Sequence, residues 1–492
     1  MNPPVAPASA PPATGPLPAP RPASGGTGLI WILLAGAFVM VLNETVMGVA
    51  LPPVMREFGV AASAGQWLTT IYMLVMAVVI PMSGFLLQKF SPRAIFVTAL
   101  GLFTLGTAVA AAAPVFGALV AARVLQAGGT AVIMPLLSTM ILTRIPEERR
   151  GRMMGLIAIV MSVAPALGPT VSGMLITTFG WRSVFIAVLP IALVVLIVGA
   201  LLIGASEAGR PARFDVLSAL LSVLAFGGLV YGLGGIGEAI DGKAAVSPAL
   251  PLIAGAVGLA LFVWRQIALQ SRGAAFLDLR PFRVRAFWVG ILLLLIAMLS
   301  MFGALILLPI YMQNVLGLSP FVTGLVVLPG GLLMGLAAPF VGALFDRVGA
   351  RPLVIPGVFV VAAALVMLTQ LGASSPVWLI VVATIVLDLG LALMMTPLMT
   401  ASLGSLAPEL YSHGSAIFTT VQQLAGAAGT ALFVTLMSIG SASAVRSGLS
   451  AIDATAQGIH LAFVVAATSS VITILLAFLV PKRRPRKEAD AV

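Results

Sequence analysis

The feature that most constrains this chain is a succession of apolar runs, each about 20 residues or longer, joined by short polar loops. A helix needs ~20 apolar residues to cross ~30 Å of hydrocarbon. Fourteen runs are read as spanning helices: 28–50, 66–88, 93–113, 116–142, 152–177, 183–204, 215–237, 248–268, 286–311, 320–345, 352–372, 376–400, 413–438 and 458–480. They do not alternate apolar and polar residues. In lipid the backbone must satisfy its own hydrogen bonds, which leaves helices or closed barrels, and the lack of alternation excludes a barrel. Composition agrees. Of 492 residues, 60% are hydrophobic and 8% charged, against about 25% charged in soluble proteins. Too few polar residues remain to clothe a water-facing surface.

The chain has no cysteine, which excludes disulfides, thiolate metal sites and cysteine nucleophiles. His413 and His460 are far apart in sequence, which argues against a histidine metal site. Residues 1–27 are rich in Pro, Ala, Gly and Ser and are expected to be a disordered tail. The tail lacks the charged start and apolar core of a cleaved signal peptide.

The net charge of +11 suggests nucleic acid only until its distribution is examined. With the N-terminus in the cytoplasm, 21 of the 26 Lys and Arg fall on cytoplasmic segments. Arg56, Arg182, Lys243 and Arg446 fall outside, and Arg123 lies within a helix. This asymmetry follows the positive-inside rule. It predicts fourteen crossings with both termini cytoplasmic, and it accounts for the charge without a nucleic-acid partner.

Gly84-Phe-Leu-Leu-Gln88-Lys89-Phe-Ser-Pro-Arg93 resembles Gly342-Ala-Leu-Phe-Asp346-Arg347-Val-Gly-Ala-Arg351. Val124-Leu-Gln126-Ala-Gly128 aligns with Val386-Leu-Asp388-Leu-Gly390, and Pro135 with Pro397. The two matches share nearly one offset, which indicates a duplicated six-helix unit. The predicted organisation is a tail (1–27), a six-helix bundle (28–204), two inserted helices with their linkers (205–285), a second bundle (286–480) and a basic tail (481–492). Duplicated bundles that rock about a midplane site are the layout of alternating-access transporters.

Among the acidic residues, Glu44 and Asp388 fall well inside predicted helices, as does the base Arg123. A charge at a helix centre costs ~2.5–3.5 kcal/mol on insertion scales, so function is the default reading. The alternative is a structural clamp between helices. Glu44 lies six residues from the predicted end of helix one and Arg123 seven residues into helix four, which suggests similar depth and a pairing. Arg123, Gln126 and Thr130 share one helical face and are expected to line a cavity. Asn43, Met47, Tyr72, Thr384, Gln422 and Gln423 are further candidates for that cavity. Trp67, near a helix end, reads as an interfacial anchor. A carboxyl whose surroundings alternate between water and protein can take up and release a proton, as proton coupling requires. Helix five carries Pro165, Gly168, Pro169 and Gly173. The prolines bend the helix and the glycines admit a close neighbour, giving a hinge or seal, or an ordinary packing kink. Gly84, Lys89, Arg93, Gly342, Asp346, Arg347 and Arg351 read as a cytoplasmic latch in which Asp346 accepts hydrogen bonds from a helix N-terminus or binds a partner arginine; the alternative is simple positive-inside anchoring. The first copy carries Gln88 in place of the acid, which predicts a weaker latch.

On these motifs the chain resembles the major facilitator superfamily, and within it the fourteen-helix drug:proton antiporters of the EmrB/QacA and LmrB/NorC type. Leu42-Asn43-Glu44-Thr45-Val46-Met47-Gly48-Val49-Ala50-Leu51-Pro52 is similar to that branch's helix-one motif. Gly342–Arg351 is similar to the superfamily's loop motif, and Arg123–Gly129 to its helix-four motif. Gly168-Pro169 with Gly173 is similar to the helix-five antiporter motif. The resemblance implies an all-α fold of 6+2+6 helices in the bacterial plasma membrane and proton-driven efflux. Glu44 and Arg123 would act in coupling, with no enzymatic activity and no cofactor. The implied partners are protons, lipid and small lipophilic or cationic substrates. Nothing in the chain indicates a periplasmic adaptor. A transporter of one defined metabolite, lipid or self-made antibiotic would use the same machinery.

Overall fold

The computed structural model describes residues 26–60, 62–203, 215–240, 246–270, 275–372 and 374–481. The predicted tails lie almost wholly outside these residues, as do Arg210, Arg213, Lys243 and Arg272 of the charge count. Fourteen long helices form the described structure. The first six are α1 (Gly26–Phe58), α2 (Ala62–Lys89), α3 (Pro92–Ala112), α4 (Phe116–Arg144), α5 (Glu147–Phe179) and α6 (Arg182–Leu202). Helix α7 joins Val216–Ser222, a π-turn at Val223–Gly227 and Gly228–Ile240, and α8 is Ala249–Gln270. The last six are α9 (Arg285–Asn314), α10 (Pro320–Val348), α11 (Arg351–Leu368), α12 (Val377–Gly404), α13 (Tyr411–Arg446) and α14 (Ala451–Ala477).

Several helices outrun their apolar stretches. Helix α1 continues to Phe58 and stops at Gly59, whose φ is 63°. Apolarity marks the part that crosses lipid, whereas a backbone breaker marks where the hydrogen-bonded ladder ends. Among the described residues, thirteen helices are long and apolar enough to cross a bilayer by length and composition. The remaining one is α5, whose first turn carries Glu147 and Glu148 and whose middle carries the Pro/Gly/Ser/Thr motif.

The packing repeats. Helix α3 lies on α4 and α6, α2 on α4, and α1 on α5 and α6. In the same pattern α11 lies on α12 and α14, α10 on α12, and α9 on α13 and α14. The two groups meet along α5–α10 and α2–α13, pairs that the repeat relates to each other. The α7–α8 pair packs on itself through Gly228, Gly255 and Gly258, where little more than backbone separates the helices. Helix α7 lies over the α2–α13 seam. Large apolar side chains such as Phe179, Leu201 and Phe340 are about three-quarters exposed, as expected when the solvent is lipid.

Candidate functional site

Helix α4 presents Arg123, Gln126 and Thr130 on one face, and all three are buried. Arg123 donates through Nε to the Leu68 carbonyl (3.2 Å) and through Nη1 to Gln126 Oε1 (3.0 Å). Its guanidinium lies 4.0 Å from the centre of the Tyr72 ring, a cation–π geometry. Gln126 Nε2 donates to Thr107 Oγ1 (3.0 Å), and Tyr72 OH donates to Thr130 Oγ1 (2.9 Å). The network joins α2, α3 and α4.

Unsatisfied polar atoms lie on both α4 and α1. Arg123 Nη2 and both amide atoms of Asn43 are buried without a hydrogen-bond partner. Such groups cost about 1–3 kcal/mol each, and a group left in that state is a candidate to receive a ligand, a water or a moved side chain. Glu44 is half-buried beside them. It interacts electrostatically with Arg123, but among the described residues no hydrogen bond or close ion pair joins the two. The expected pairing is therefore an approach through space, with Arg123 held by neutral partners. Depth is fixed by packing, because α1 extends past Ala50: Met47 and Ala50 share an apolar cluster with Leu68, Leu119 and Ala122.

The corresponding place in the second half is sparser. Asp388 on α12 stands where the repeat puts Gln126. It is half-buried, and no hydrogen-bond or ion-pair partner is found for it among the described residues. Its Oδ2 lies against Gly330 of α10, where an added Cβ would displace the carboxylate. Thr384, one turn before, spends its hydroxyl on its own helix, at Ile380 O (3.0 Å) and Val381 O (2.9 Å). Gln422 and Gln423 are half-buried on α13, which approaches α9 closely at Gly429.

In the α5 motif, Gly168 sits against Thr45 of α1 with no room for a side chain, whereas a Cβ at Gly173 would meet nothing. Pro165 is half-buried, and the side chain of Pro169 lies outside the described residues. The two parts of this motif thus differ: one forms a tight α1–α5 contact and the other does not.

At the end bearing the basic loops, Asp346 accepts hydrogen bonds from the backbone N–H of Gly151 (2.8 Å) and Arg152 (3.1 Å), near the start of α5. Gly342 and Gly151 meet backbone to backbone, as do Gly155 and Ala338. The α2–α13 side is joined differently. Gln88 Nε2 donates to Glu409 O (2.9 Å) and Gly84 packs on His413, while Arg150 of α5 donates through Nη1 to Tyr411 OH (3.4 Å) at the start of α13. Lys89 lies over the Phe85 and Phe90 rings. Arg93 is exposed and Arg351 begins α11.

Two charged clusters outside the membrane core are tightly tied. At the end opposite the basic loops Glu57 accepts from Arg182 and from Trp181 Nε1 (2.6 Å), and the Arg182 contact holds its carboxyl below the usual range. At the start of α7, Arg265 and Ser218 donate to Asp215 and hold it at about 2. Among the described residues no cluster of three or more His, Cys, Asp or Glu suits a metal ion. Sequence reasoning missed Thr107 and the Leu68 carbonyl, which complete the Arg123 network. Gln266 was missed as well, although a polar residue inside the apolar run 248–268 was a signal that could have found it.

The family model described as the Major Facilitator Superfamily matches residues 33–430. Relatives agree. The chain is 40% identical over 467 residues to "Uncharacterized MFS-type transporter YcnB" of Bacillus subtilis (strain 168), covering 94% of this chain and 97% of that protein. It is 39% identical over 408 residues to "Lincomycin resistance protein LmrB" of Listeria monocytogenes, covering 83% and 85%. It is 30% identical over 398 residues to "Multidrug resistance protein B homolog" of Mycobacterium tuberculosis (strain CDC 1551 / Oshkosh), covering 80% and 73%. Its fold matches that of the human organic anion transporter MFSD10 (TETRAN) with a TM-score of 0.62 at 16% identity, over 93% of this chain and 99% of that one. It also matches the proton:xylose symporter XylE, with a TM-score of 0.61 at 15% identity, over 94% and 97%. The chain therefore belongs to the major facilitator superfamily, whose members are transporters rather than enzymes. It is a multi-pass protein of the bacterial plasma membrane.

Proposed function

We propose that the protein is a proton-coupled multidrug exporter, a drug/proton antiporter, that moves lipophilic and preferentially cationic compounds outward by alternating access. The observation that carries this reading is the asymmetric pair of membrane carboxyls. Glu44 sits beside a buried arginine, and Asp388 stands in the equivalent layer of the other half without a cation. A carboxylate in low dielectric attracts either a proton or a cationic ligand, which is the competition an antiporter needs. The relatives named for lincomycin and multidrug resistance support the same direction.

With the basic loops in the cytoplasm, the tight contacts at Gly151–Gly342, Gly155–Ala338 and Gly335–Ser162 close the inner end of the seam. Toward the outer ends of α5 and α10, Gly173 and Gly324 have open space beside them. This arrangement fits an outward-facing state. Protonation of Glu44 from outside removes its attraction for Arg123, and Arg123 Nη2 and the Asn43 amide are the groups free to re-pair. Each proton carried inward contributes ~2.3 kcal/mol per 100 mV. In proteoliposomes with an imposed pH gradient, the wild type is expected to drive uptake or efflux of several unrelated cationic dyes and drugs. Flux that ignores the gradient would overturn the proposal. A second reading, export of one defined compound, is favoured by relatives named for a single antibiotic, and it predicts that one compound alone is moved in the same assay.

A further inference from the structure

The inserted α7–α8 pair is wired to the inner gate by a continuous chain of side chains. Arg265 of α8 donates to Asp215 at the start of α7 (2.7 and 2.8 Å), and Ser218 OH donates to the same carboxylate (2.5 Å). Gln266, fully buried, donates from Nε2 to Ser218 Oγ (2.8 Å). Its Oε1 accepts the backbone N–H of Phe276 (2.8 Å) and Leu277 (3.2 Å), the start of the strap that leads from α8 to α9.

The strap enters the seam between the halves. The Phe276 ring is buried 5.0 Å from that of Phe85 on α2. Two residues on, the Asp278 N–H donates to His413 Nδ1 (3.3 Å) at the start of α13, and His413 packs on Gly84 of α2. Asp278 is buried, and its carboxylate accepts from the Arg280 backbone N–H (2.9 Å) and side chain (2.7 Å). Higher in the same seam, Ser222 OH of α7 donates to the Val78 carbonyl of α2 (3.1 Å). The strap thus touches both halves at the place related by the repeat to the Asp346 latch, where the first loop copy has Gln88.

We propose that the inserted pair and its strap, residues 275–280, are the brace that closes the α2–α13 side of the inner gate. They replace the acid that the first loop copy lacks, with Gln266 and His413 as positioning residues. For the gate to open inward, α2 and α13 must part, so the strap must leave at least one of them. The proposal rests on the alternating-access reading of the two halves.

The chain has no native cysteine, so spin labels can be placed at Ala94→Cys and Ala407→Cys, both exposed at the basic-loop end, and their separation measured in nanodiscs. His413→Phe removes the acceptor for the Asp278 N–H, Gln266→Leu removes the strap anchor, and His413→Asn keeps an acceptor near the Nδ1 position. The expected result is a several-fold rise in the longer-distance, inward-open population for His413→Phe and Gln266→Leu, with His413→Asn close to wild type. Asp346→Asn serves as the positive control. If Asp346→Asn opens the gate while folded, monodisperse His413→Phe and Gln266→Leu keep the wild-type distribution, the brace is overturned. Loss of thermal stability in these variants without a population change also overturns it, because the contacts would then be packing alone. If neither the wild type nor Asp346→Asn yields a second distance at any pH or with substrate, the alternating-access reading itself fails.

Discussion

The two halves share one packing scheme and differ at the layer where their polar residues lie. In the first half the α4 face is wired: Arg123 reaches α2, Gln126 reaches α3, and Thr130 receives Tyr72. In the second half the same layer holds Asp388, with a nearby threonine turned onto its own helix. A wired polar group is held by partners that must all be broken together. A lone carboxyl is free to take whatever cation or proton the cavity offers. One packing scheme thus carries two different polar layers, one tied by hydrogen bonds between helices and the other holding a carboxyl without a hydrogen-bond partner among the described residues. The gates differ in the same manner. The α5–α10 side is joined by an acid on backbone N–H groups, and the α2–α13 side by Gln88 on the Glu409 carbonyl together with the Asp278 N–H on His413.

Breaking this contrast has its largest expected effect at the carboxyls. Glu44→Gln and Asp388→Asn should each reduce gradient-driven efflux to the level of empty proteoliposomes while the protein remains folded. Normal efflux in both would sink the assignment. Gly342→Leu should come next. A branched side chain cannot fit against Gly151, so α5 and α10 are expected to part at the inner end and transport to fall at least tenfold, read as inner-end labelling together with flux. Removing a wire has a different signature. Gln126→Leu leaves Arg123 Nη1 and Thr107 short of a partner, and a cost of about 2–4 kcal/mol in unfolding stability is expected. Arg123→Ala should move the pH profile of transport, because its charge acts on Glu44 through space; an unchanged profile would separate the two residues.

The smallest effect is at Asp215, outside the membrane core. The Arg265 contact lowers its folded pKa to about 2 from an ordinary 3.8, so its stabilisation is present above pH 4 and lost as pH falls through about 2. Solvent screening at this partly exposed site discounts that shift to about 1 kcal/mol or less. Asp215→Asn should melt lower than wild type by a constant margin from pH 8 to pH 4, and the margin should close only toward pH 2. A margin that vanishes by pH 5 would show that another group carries it.

Hydropathy is a property read along one strand of chain, and so the sequence alone determined fourteen helices, their approximate centres and the duplication. It also singled out Glu44, Arg123 and Asp388, because an ionisable residue within an apolar run is conspicuous wherever the helix ends up. Helix limits were less legible: α1 runs past its apolar stretch to Gly59, since the ladder continues until the backbone turns. What tertiary structure decided was partnership. Arg123 rests on Leu68, Tyr72 and Gln126 rather than directly on Glu44, and His413 receives a strap from 135 residues earlier in the chain. Such contacts depend on how helices distant in sequence pack side by side. A side chain's neighbours across that packing are set by crossing geometry and close glycine approaches, which no pattern along a single helix encodes.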